Sequence, residues 1–206
     1  MHWAVLALCV VLTACSRTPQ LRPLPADAVI LSFGDSLTAG TGAASGEEYP
    51  ARLEALIGRQ VVNAGVPGEV SAAGLKRLPA LLQRHRPALV ILCHGGNDIL
   101  RRQKSELTRE NIQRMIELAR ASGAEIVLIG VPQFGIFLSP APFYEELAER
   151  NGIPIEASAL SDILKNPSLK SDQIHPNAAG YRQLAEKLAG LLVEAGAIEN
   201  IRHPSN

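Results

Sequence analysis

Short apolar runs alternate with amphipathic segments from Ala28 to Ala195. A continuously apolar run of a few residues is typical of a strand that is covered on both faces of a sheet. By this criterion the sequence predicts five strands, at Ala28–Leu31, Val61–Val62, Ala88–Leu92, Ile126–Ile129 and Ile153–Ile155.

Hydrophobic residues between these runs recur at the three- and four-residue spacing of helices. They predict helices at Tyr49–Ile57, Leu75–Leu82, Ile112–Ala119, Phe143–Arg150 and Tyr181–Leu192. We expect Pro79 to interrupt the second of these and to start a new helical piece, because proline lacks the N–H that continues a helix. Alternation of strands and helices predicts right-handed crossovers, and hence an α/β fold with a parallel sheet and helices on both faces.

Polar and glycine-rich segments follow the predicted strands. In a parallel α/β sheet, ligands bind outside the carboxyl ends of the strands, so residues distant in sequence converge there. The residues placed at this edge are Ser36 after the first strand, Gly65 and Gly68 after the second, Gly95–Asp98 after the third, and Asp172 and His175 after the fifth.

Three of these residues predict nucleophilic catalysis. A serine hydroxyl becomes a good nucleophile when a histidine takes its proton, and a carboxylate can hold that histidine in the required tautomer. Ser36 follows a strand, where it could instead simply cap a helix. Asp172 lies three residues before His175 and can reach its Nδ1, and Pro176 is expected in the first turn of the last helix.

An acyl-transfer site also needs hydrogen-bond donors for the developing oxyanion. The Ser36 backbone N–H, a glycine N–H at Gly65 or Gly68, and the Asn97 side-chain amide are the candidates. Each has an ordinary structural interpretation in a turn. Among the other histidines, His94 alone is expected near this edge, as a supporting residue or part of the pocket wall.

Taken together, Gly34–Leu37, the glycine of the second segment, Gly95–Asp98 and Asp172–His175 resemble the four sequence blocks of the GDSL, or SGNH, hydrolase family. The closest likeness is to its bacterial thioesterase I, lysophospholipase and arylesterase group. The resemblance implies a three-layer, flavodoxin-like α/β/α sandwich of about five parallel strands. It implies metal-free hydrolysis of esters or thioesters through an acyl-enzyme, with no cofactor. It also implies Ser36 as nucleophile, His175 as base, Asp172 as its partner, and Ser36, Gly68 and Asn97 as oxyanion donors.

The segment Val131–Leu138 is apolar but broken by Pro132 and Gly135, so neither a helix nor a strand is expected there. We expect it to line an acyl pocket, although sealing the core is an equally good interpretation. The tentative pocket residues are Ile99, Leu100, Phe134, Ile136, Phe137 and Leu138.

The N-terminal residues predict export and anchoring. An apolar run from Trp3 to Leu12 has the length of a signal-peptide core and leads into Leu12–Cys15, which resembles a bacterial lipoprotein cleavage site. We expect residues 1–15 to form a signal peptide ending at the lipidated Cys15, residues 16–26 a Pro-rich tether, and residues 27–206 the hydrolase domain. An ordinary cleaved signal and an uncleaved anchor are the alternatives. The expected location is the bacterial cell envelope, facing the periplasm or the outside.

Charge and composition narrow the range of partners. The chain has 20 Lys and Arg against 20 Asp and Glu, so it lacks the basic excess of a nucleic-acid-binding protein. Its 206 residues suffice for one core. We expect a small-molecule acyl ester or thioester as substrate, and the oligomeric state stays open.

Two other function classes fit less well. The same triad could remove acetyl groups from sugars or cell-wall glycans, but the apolar Val131–Leu138 segment and the low aromatic content, 4%, favour an acyl chain over a sugar. A non-catalytic binding module would have no physical need for Ser36, Asp172, His175 and Asn97 together.

Overall fold

A computed structural model describes residues 18–133 and 138–201. Five parallel strands form the main sheet: β1 (Val29–Gly34), β2 (Gln60–Gly65), β3 (Leu89–Cys93), β4 (Glu125–Ile129) and β7 (Ile155–Glu156), in the order β2-β1-β3-β4-β7. Two further strands, β5 (Pro132–Gln133) and β6 (Ser139–Pro140), form a small antiparallel pair. This confirms the α/β class and the five parallel strands. The order is that of flavodoxin-like folds. In these folds the strands are added first to one side of β1 and then to the other, so the switch point lies between β1 and β3.

Helices connect the strands and cover the sheet. The described residues form α1 (Ser36–Ala39), α2 (Tyr49–Ile57), α3 (Ser71–His85), α4 (Gly96–Leu100), α5 (Ser105–Ala121), α6 (Phe143–Asn151), α7 (Ala159–Lys165), a 3₁₀ turn (Pro167–Leu169) and α8 (Ala178–Glu194). Helix α2 packs against α8, and α3 packs against α5. All five residues of β3 are buried, as expected of a central strand with helices over both faces.

Two proline predictions are wrong. Pro79 lies inside α3, which continues through it without a break. Pro79 is exposed while Leu78 and Leu82 are buried, so the packed face holds the helix together despite the one backbone hydrogen bond that proline cannot make. Pro176 lies before α8 rather than in its first turn; it pairs with Lys170 in an isolated bridge, and Asn177 caps the helix.

Residues 18–26, which belong to the tether expected over residues 16–26, lie against the domain. Leu21 and Leu24 are buried in the core. Their N–H groups donate to the carbonyls of Ala195 and Ala197, each at 2.8 Å. The Arg59 guanidinium donates to the Leu24 carbonyl at 3.0 Å. Apolar burial and these bonds hold the segment against the domain, so it does not act as a free spacer.

The proposed signal peptide and Cys15 lie outside the described residues. Within residues 18–133 and 138–201, no helix combines the length and the apolar character needed to cross a membrane. Cys93, the one cysteine in this range, is buried and free of any disulfide, as expected for a small apolar side chain in a central strand.

Candidate active site

The turn after β1 places Ser36 at the carboxyl edge of the sheet. Asp35 caps α1 by accepting a hydrogen bond from the Leu37 N–H at 3.1 Å, so Ser36 is the first residue of the helix and not its cap. Gly34 is required here, since an added Cβ would lie 2.1 Å from the Cys93 carbonyl oxygen. The tight turn leaves the Ser36 hydroxyl half-exposed at the rim.

Ser36, His175 and Asp172 form one continuous hydrogen-bonded chain. His175 Nε2 lies 3.0 Å from Ser36 Oγ, although 139 positions separate the two residues in the sequence. His175 Nδ1 lies 2.8 Å from Asp172 Oδ2. Because the carboxylate only accepts hydrogen bonds, Nδ1 carries the hydrogen and Nε2 faces the serine as an acceptor. A neutral imidazole in this tautomer can take the serine proton.

The loop around Asp172 holds the carboxylate that contacts His175. Asp172 Oδ1 accepts the Ile174 and His175 backbone N–H groups, each at 2.8 Å. Partial burial would raise the pKa of Asp172, but the hydrogen bonds from the His175 ring and from these two N–H groups outweigh it and lower the pKa below its ordinary value. The carboxylate therefore stays ionised at neutral pH, as an orienting group must.

The hydrogen bonds distinguish the two glycines proposed as oxyanion donors. The Gly65 N–H donates to Asn63 Oδ1 at 3.0 Å, and an added Cβ there would lie 2.1 Å from the Ala39 nitrogen. Gly65 is therefore a packing position. Gly68 is exposed and has a φ of +77°. Its N–H, like that of Ser36, meets no acceptor in the part of the chain that the structure describes.

Asn97 lies between two acceptors at the start of α4. Its Nδ2 donates to Asp35 Oδ2 at 3.2 Å and to the Glu69 backbone carbonyl at 3.0 Å. Asp35 is buried, and burial raises its pKa against the opposing effects of His94 and of the hydrogen bonds from Leu37 and Asn97. The amide is thus fixed next to the Ser36 turn on one side and next to the Gly68 loop on the other.

Asp98 anchors the helix that carries Asn97. Its buried carboxylate accepts the Ser71 N–H at 2.8 Å and the Ser71 hydroxyl at 2.6 Å. Asn111 donates to the same hydroxyl at 2.9 Å. These bonds tie α4 to the beginning of α3 and to α5.

Sequence reasoning missed a cluster behind the site, formed by the buried side chains of Glu69 and His94 and the partly buried side chain of Arg77. His94 is fully buried, so it is a supporting residue and not part of a pocket wall. Its Nε2 lies 3.1 Å from Glu69 Oε2, and Arg77 binds both oxygens of that carboxylate. Burial raises the pKa of Glu69, but hydrogen bonds from His94 and Arg77, together with the charge of Arg77, lower it to about 2. The only signal in the sequence is a carboxylate directly after Gly68, which does not identify its partners.

The structure describes three of the six tentative pocket residues. Ile99 is partly buried against the core, Leu100 is 43% exposed at the end of α4, and Leu138 is half-buried next to β6. Helix α4 contacts β5, so these side chains lie near the same hairpin. Phe134, Ile136 and Phe137 fall outside the described residues. Where neither a helix nor a strand was expected, Pro132–Gln133 and Ser139–Pro140 pair as short strands.

The sequence pattern of the GDSL-like Lipase/Acylhydrolase family matches residues 32–183, which include every residue of the Ser36–His175–Asp172 chain. The protein belongs to that family and is a serine hydrolase acting on ester bonds.

The chain is 31% identical over 194 residues to esterase TesA of Pseudomonas aeruginosa, a match that covers 86% of this chain and 94% of that protein. It is 31% identical over 176 residues to thioesterase 1/protease 1/lysophospholipase L1 of Escherichia coli K12, covering 82% of this chain and 84% of that protein. The crystal structure of TesA superimposes with a TM-score of 0.71 at 29% identity, covering 81% of this chain and 99% of TesA. In residues 18–133 and 138–201, no three His, Cys, Asp or Glu side chains are grouped to hold a metal ion.

Proposed function

We propose that the protein hydrolyses acyl esters or thioesters through an acyl-enzyme formed on Ser36. The observation that carries the proposal is the chain of contacts from Asp172 through His175 to Ser36 Oγ, at 2.8 and 3.0 Å. His175 Nε2 takes the hydroxyl proton while Oγ attacks the carbonyl carbon, and it then returns the proton to the leaving alcohol or thiol. Asp172 stabilises the imidazolium that forms in between. Water repeats the sequence on the acyl-enzyme and releases the acid.

The same proposal assigns the oxyanion donors. The N–H groups of Ser36 and Gly68 stabilise the negative charge that develops on the carbonyl oxygen, and Gly68 is preferred to Gly65 because the Gly65 N–H is already bonded to Asn63. Asn97 shares an amide hydrogen with the oxyanion as that charge grows. Losing one such donor costs roughly 10²–10³ in kcat in enzymes of this kind.

An acyl substrate agrees with the residues around the site. Ile99 and Leu100 follow Asn97 within one turn of α4, and Leu138 directly precedes β6, in the hairpin whose first strand, β5, contacts this helix. Apolar side chains in this position favour a fatty acyl group over a sugar. The names of the relatives, an esterase and a thioesterase/lysophospholipase, support the same substrate class.

A panel of p-nitrophenyl esters of increasing chain length, with lysophospholipid, acyl-CoA and acetylated glycan beside them, tests the substrate class. We expect kcat/KM to be higher for acyl chains than for the acetylated glycan. The reverse order would favour the O-acetylesterase alternative. A fluorophosphonate should add its mass to the wild-type protein on the Ser36 peptide and leave Ser36→Ala unmodified.

We further propose that Cys15 carries a lipid anchor in the bacterial cell envelope. The first described residues support an orientation: Leu21 and Leu24 pack near the start of the strands, opposite the edge that carries Ser36. An anchor attached before them would leave the active site facing away from the lipid. Cys15→Ala should move the protein from the membrane fraction to the soluble fraction, and unchanged partitioning would contradict lipidation.

A further inference from the structure

Behind the Gly68 loop, the side chains of Glu69, Arg77 and His94 form a cluster. The proposed catalytic steps do not use its charges. Arg77 Nε lies 3.0 Å from Glu69 Oε1 and its Nη2 lies 2.6 Å from Oε2, a two-point contact with the carboxylate. His94 adds a third contact to the same group at 3.1 Å. The Glu69 side chain is 8% exposed and that of His94 is fully buried. Releasing Arg77 would leave the Glu69 charge buried and unpaired, which is strongly unfavourable.

The protonation of His94 follows from its surroundings. The Gly95 N–H donates to His94 Nδ1 at 3.0 Å, so this nitrogen is an acceptor and carries no hydrogen. The ring is therefore neutral, with its hydrogen on Nε2 pointing at Glu69. An added Cβ at Gly74 would lie 2.3 Å from Nε2, which shows how closely α3 packs against the ring. With both nitrogens used, His94 can only hold Glu69 in place.

Arg77 connects this cluster to the strand ends that carry the site. Its Nη2 donates to the Ala64 carbonyl at 3.1 Å, near the end of β2, and lies 3.4 Å from the carbonyl of Gly34, the residue two before Ser36. The guanidinium also lies over the Phe33 ring, 4.4 Å from its centroid. One side chain thus spans the Ser36 turn and the Gly68 loop.

The backbone of Glu69 links the cluster to the oxyanion donors. Its carbonyl accepts the Asn97 amide at 3.0 Å, and the residue before it, Gly68, supplies the proposed N–H. Arg101 holds the Gly68 carbonyl from the solvent side at 3.0 Å. Gly68 itself, at φ +77° and with open space around it, cannot fix its own orientation.

We propose that Glu69, Arg77 and His94 are positioning residues that hold the Gly68 N–H and the Asn97 amide in the geometry needed to stabilise the oxyanion. The inference rests on the proposed function, since it requires the Ser36 site and these two donors. If the cluster has this role, its loss should weaken stabilisation of the transition state more than it weakens binding of the substrate.

The test compares Glu69→Gln with wild type on a p-nitrophenyl acyl ester, at a temperature where circular dichroism shows both proteins folded. We expect kcat to fall by about 10- to 100-fold and KM to change by less than about threefold, the pattern for an interaction made mainly in the transition state. The Ki of phenylboronic acid, which forms a tetrahedral anion on the nucleophile, should rise by a similar factor. A purely structural role would lower the melting temperature and leave kcat and this Ki unchanged.

Matched variants keep the result interpretable. Glu125→Gln breaks the ion pair with Arg22 at the opposite end of the sheet and should leave kcat unchanged.

If Glu69→Gln does not fold, His94→Gln and His94→Leu replace it. The glutamine amide can still donate to Glu69, so the glutamine variant should retain several-fold more kcat than the leucine variant. Equal kcat in these two, or wild-type kcat in Glu69→Gln, would overturn the proposal. Ser36→Ala is run in parallel, because retained activity in that variant would instead overturn the proposed function.

Discussion

Two histidine–carboxylate pairs lie at the same edge of the sheet and behave in opposite ways. His175 contacts Asp172 at 2.8 Å and His94 contacts Glu69 at 3.1 Å. The Asp172 side chain is 53% exposed, whereas that of Glu69 is 8% exposed. The residue types are nearly the same, but His175 contacts its carboxylate through Nδ1 and His94 through Nε2.

What separates the pairs is the second ring nitrogen. In His175 it faces the Ser36 hydroxyl, a group that can lose a proton, and in His94 it is filled by a backbone N–H that cannot. A ring with one free basic nitrogen can serve as a general base, and a ring with both nitrogens occupied can only fix its neighbours. An imidazole beside a carboxylate therefore does not by itself indicate catalysis.

Removing Ser36, the proposed nucleophile that faces the His175–Asp172 pair, should have the largest effect on kcat. Ser36→Ala is expected to lower kcat by about 10⁴–10⁶ while the protein stays folded, since Ser36 is half-exposed and caps nothing. The double variant with His175→Ala should be no slower than either single one, because the residues act as a unit. Steady-state kinetics with active-site titration would measure both. Additive losses in the double variant would argue against a shared proton transfer.

Changing the orienting carboxylate should have a smaller effect. Asp172→Asn is expected to lower kcat by about 10²–10⁴, because the amide can donate to Nδ1 and so favour the wrong tautomer. The pKa of Asp172 is already lowered, so the wild-type carboxylate stays ionised down to acid pH and the acid limb of the rate profile should not report its titration. If the acid limb of the rate profile disappeared in Asp172→Asn while kcat stayed high, that limb would report the titration of Asp172 and the prediction would be wrong.

A pair of glycine substitutions sharpens the contrast on the His94 side. Gly74→Ala places a methyl group against the buried His94 ring and should destabilise the fold by about 1–3 kcal/mol despite its better helix propensity. Gly190→Ala in α8 meets nothing within 4 Å and should stabilise by about 0.5–1 kcal/mol. Denaturant unfolding of both variants measures the difference. Equal stabilities would mean that the ring is free to move.

The smallest expected effect is a pH dependence of stability. Because the folded pKa of Glu69, about 2, lies below its ordinary value of 4.5, its ion pair stabilises the fold above about pH 4.5 and is lost as the pH falls towards 2. The gap in unfolding free energy between wild type and Glu69→Gln should therefore shrink over that range. A gap of constant size from pH 6 to pH 2 would show that the carboxylate is not held as described.

Elements that depend on local pattern were predictable, and those that depend on packing were not. The strands β1 to β4 agree with the apolar runs to within three residues at each end. The runs are clearest for β1, β3 and β4, because these interior strands are almost entirely buried. The break expected at Pro79 was wrong, because the buried face of α3 outweighs one missing hydrogen bond. The tether was expected from proline content, whereas the apolar leucines Leu21 and Leu24 decided where that segment lies.

The contacts in the site likewise separate into those that the local sequence predicts and those that depend on packing. Asp172 and His175 could be paired from their spacing alone, since three residues in a tight turn bring the side chains together. The resemblance to the family implied Gly68 rather than Gly65, whereas the residues alone left both open. The hydrogen bond that occupies the Gly65 N–H and the close packing of Gly65 against α1 appear only in three dimensions. Glu69 and Arg77 have no distinctive spacing, so their contacts with His94 appear only in three dimensions.

The sequence by itself determined the alternation of strands and helices, the edge at which polar residues collect, and the chemical types available there. Tertiary structure alone decided that a hydroxyl and an imidazole 139 positions apart lie within proton-transfer distance, and that a second imidazole has no free nitrogen. The physical reason is that periodicity reports which face of an element is buried, whereas hydrogen-bond partners depend on distances between elements that no local pattern encodes.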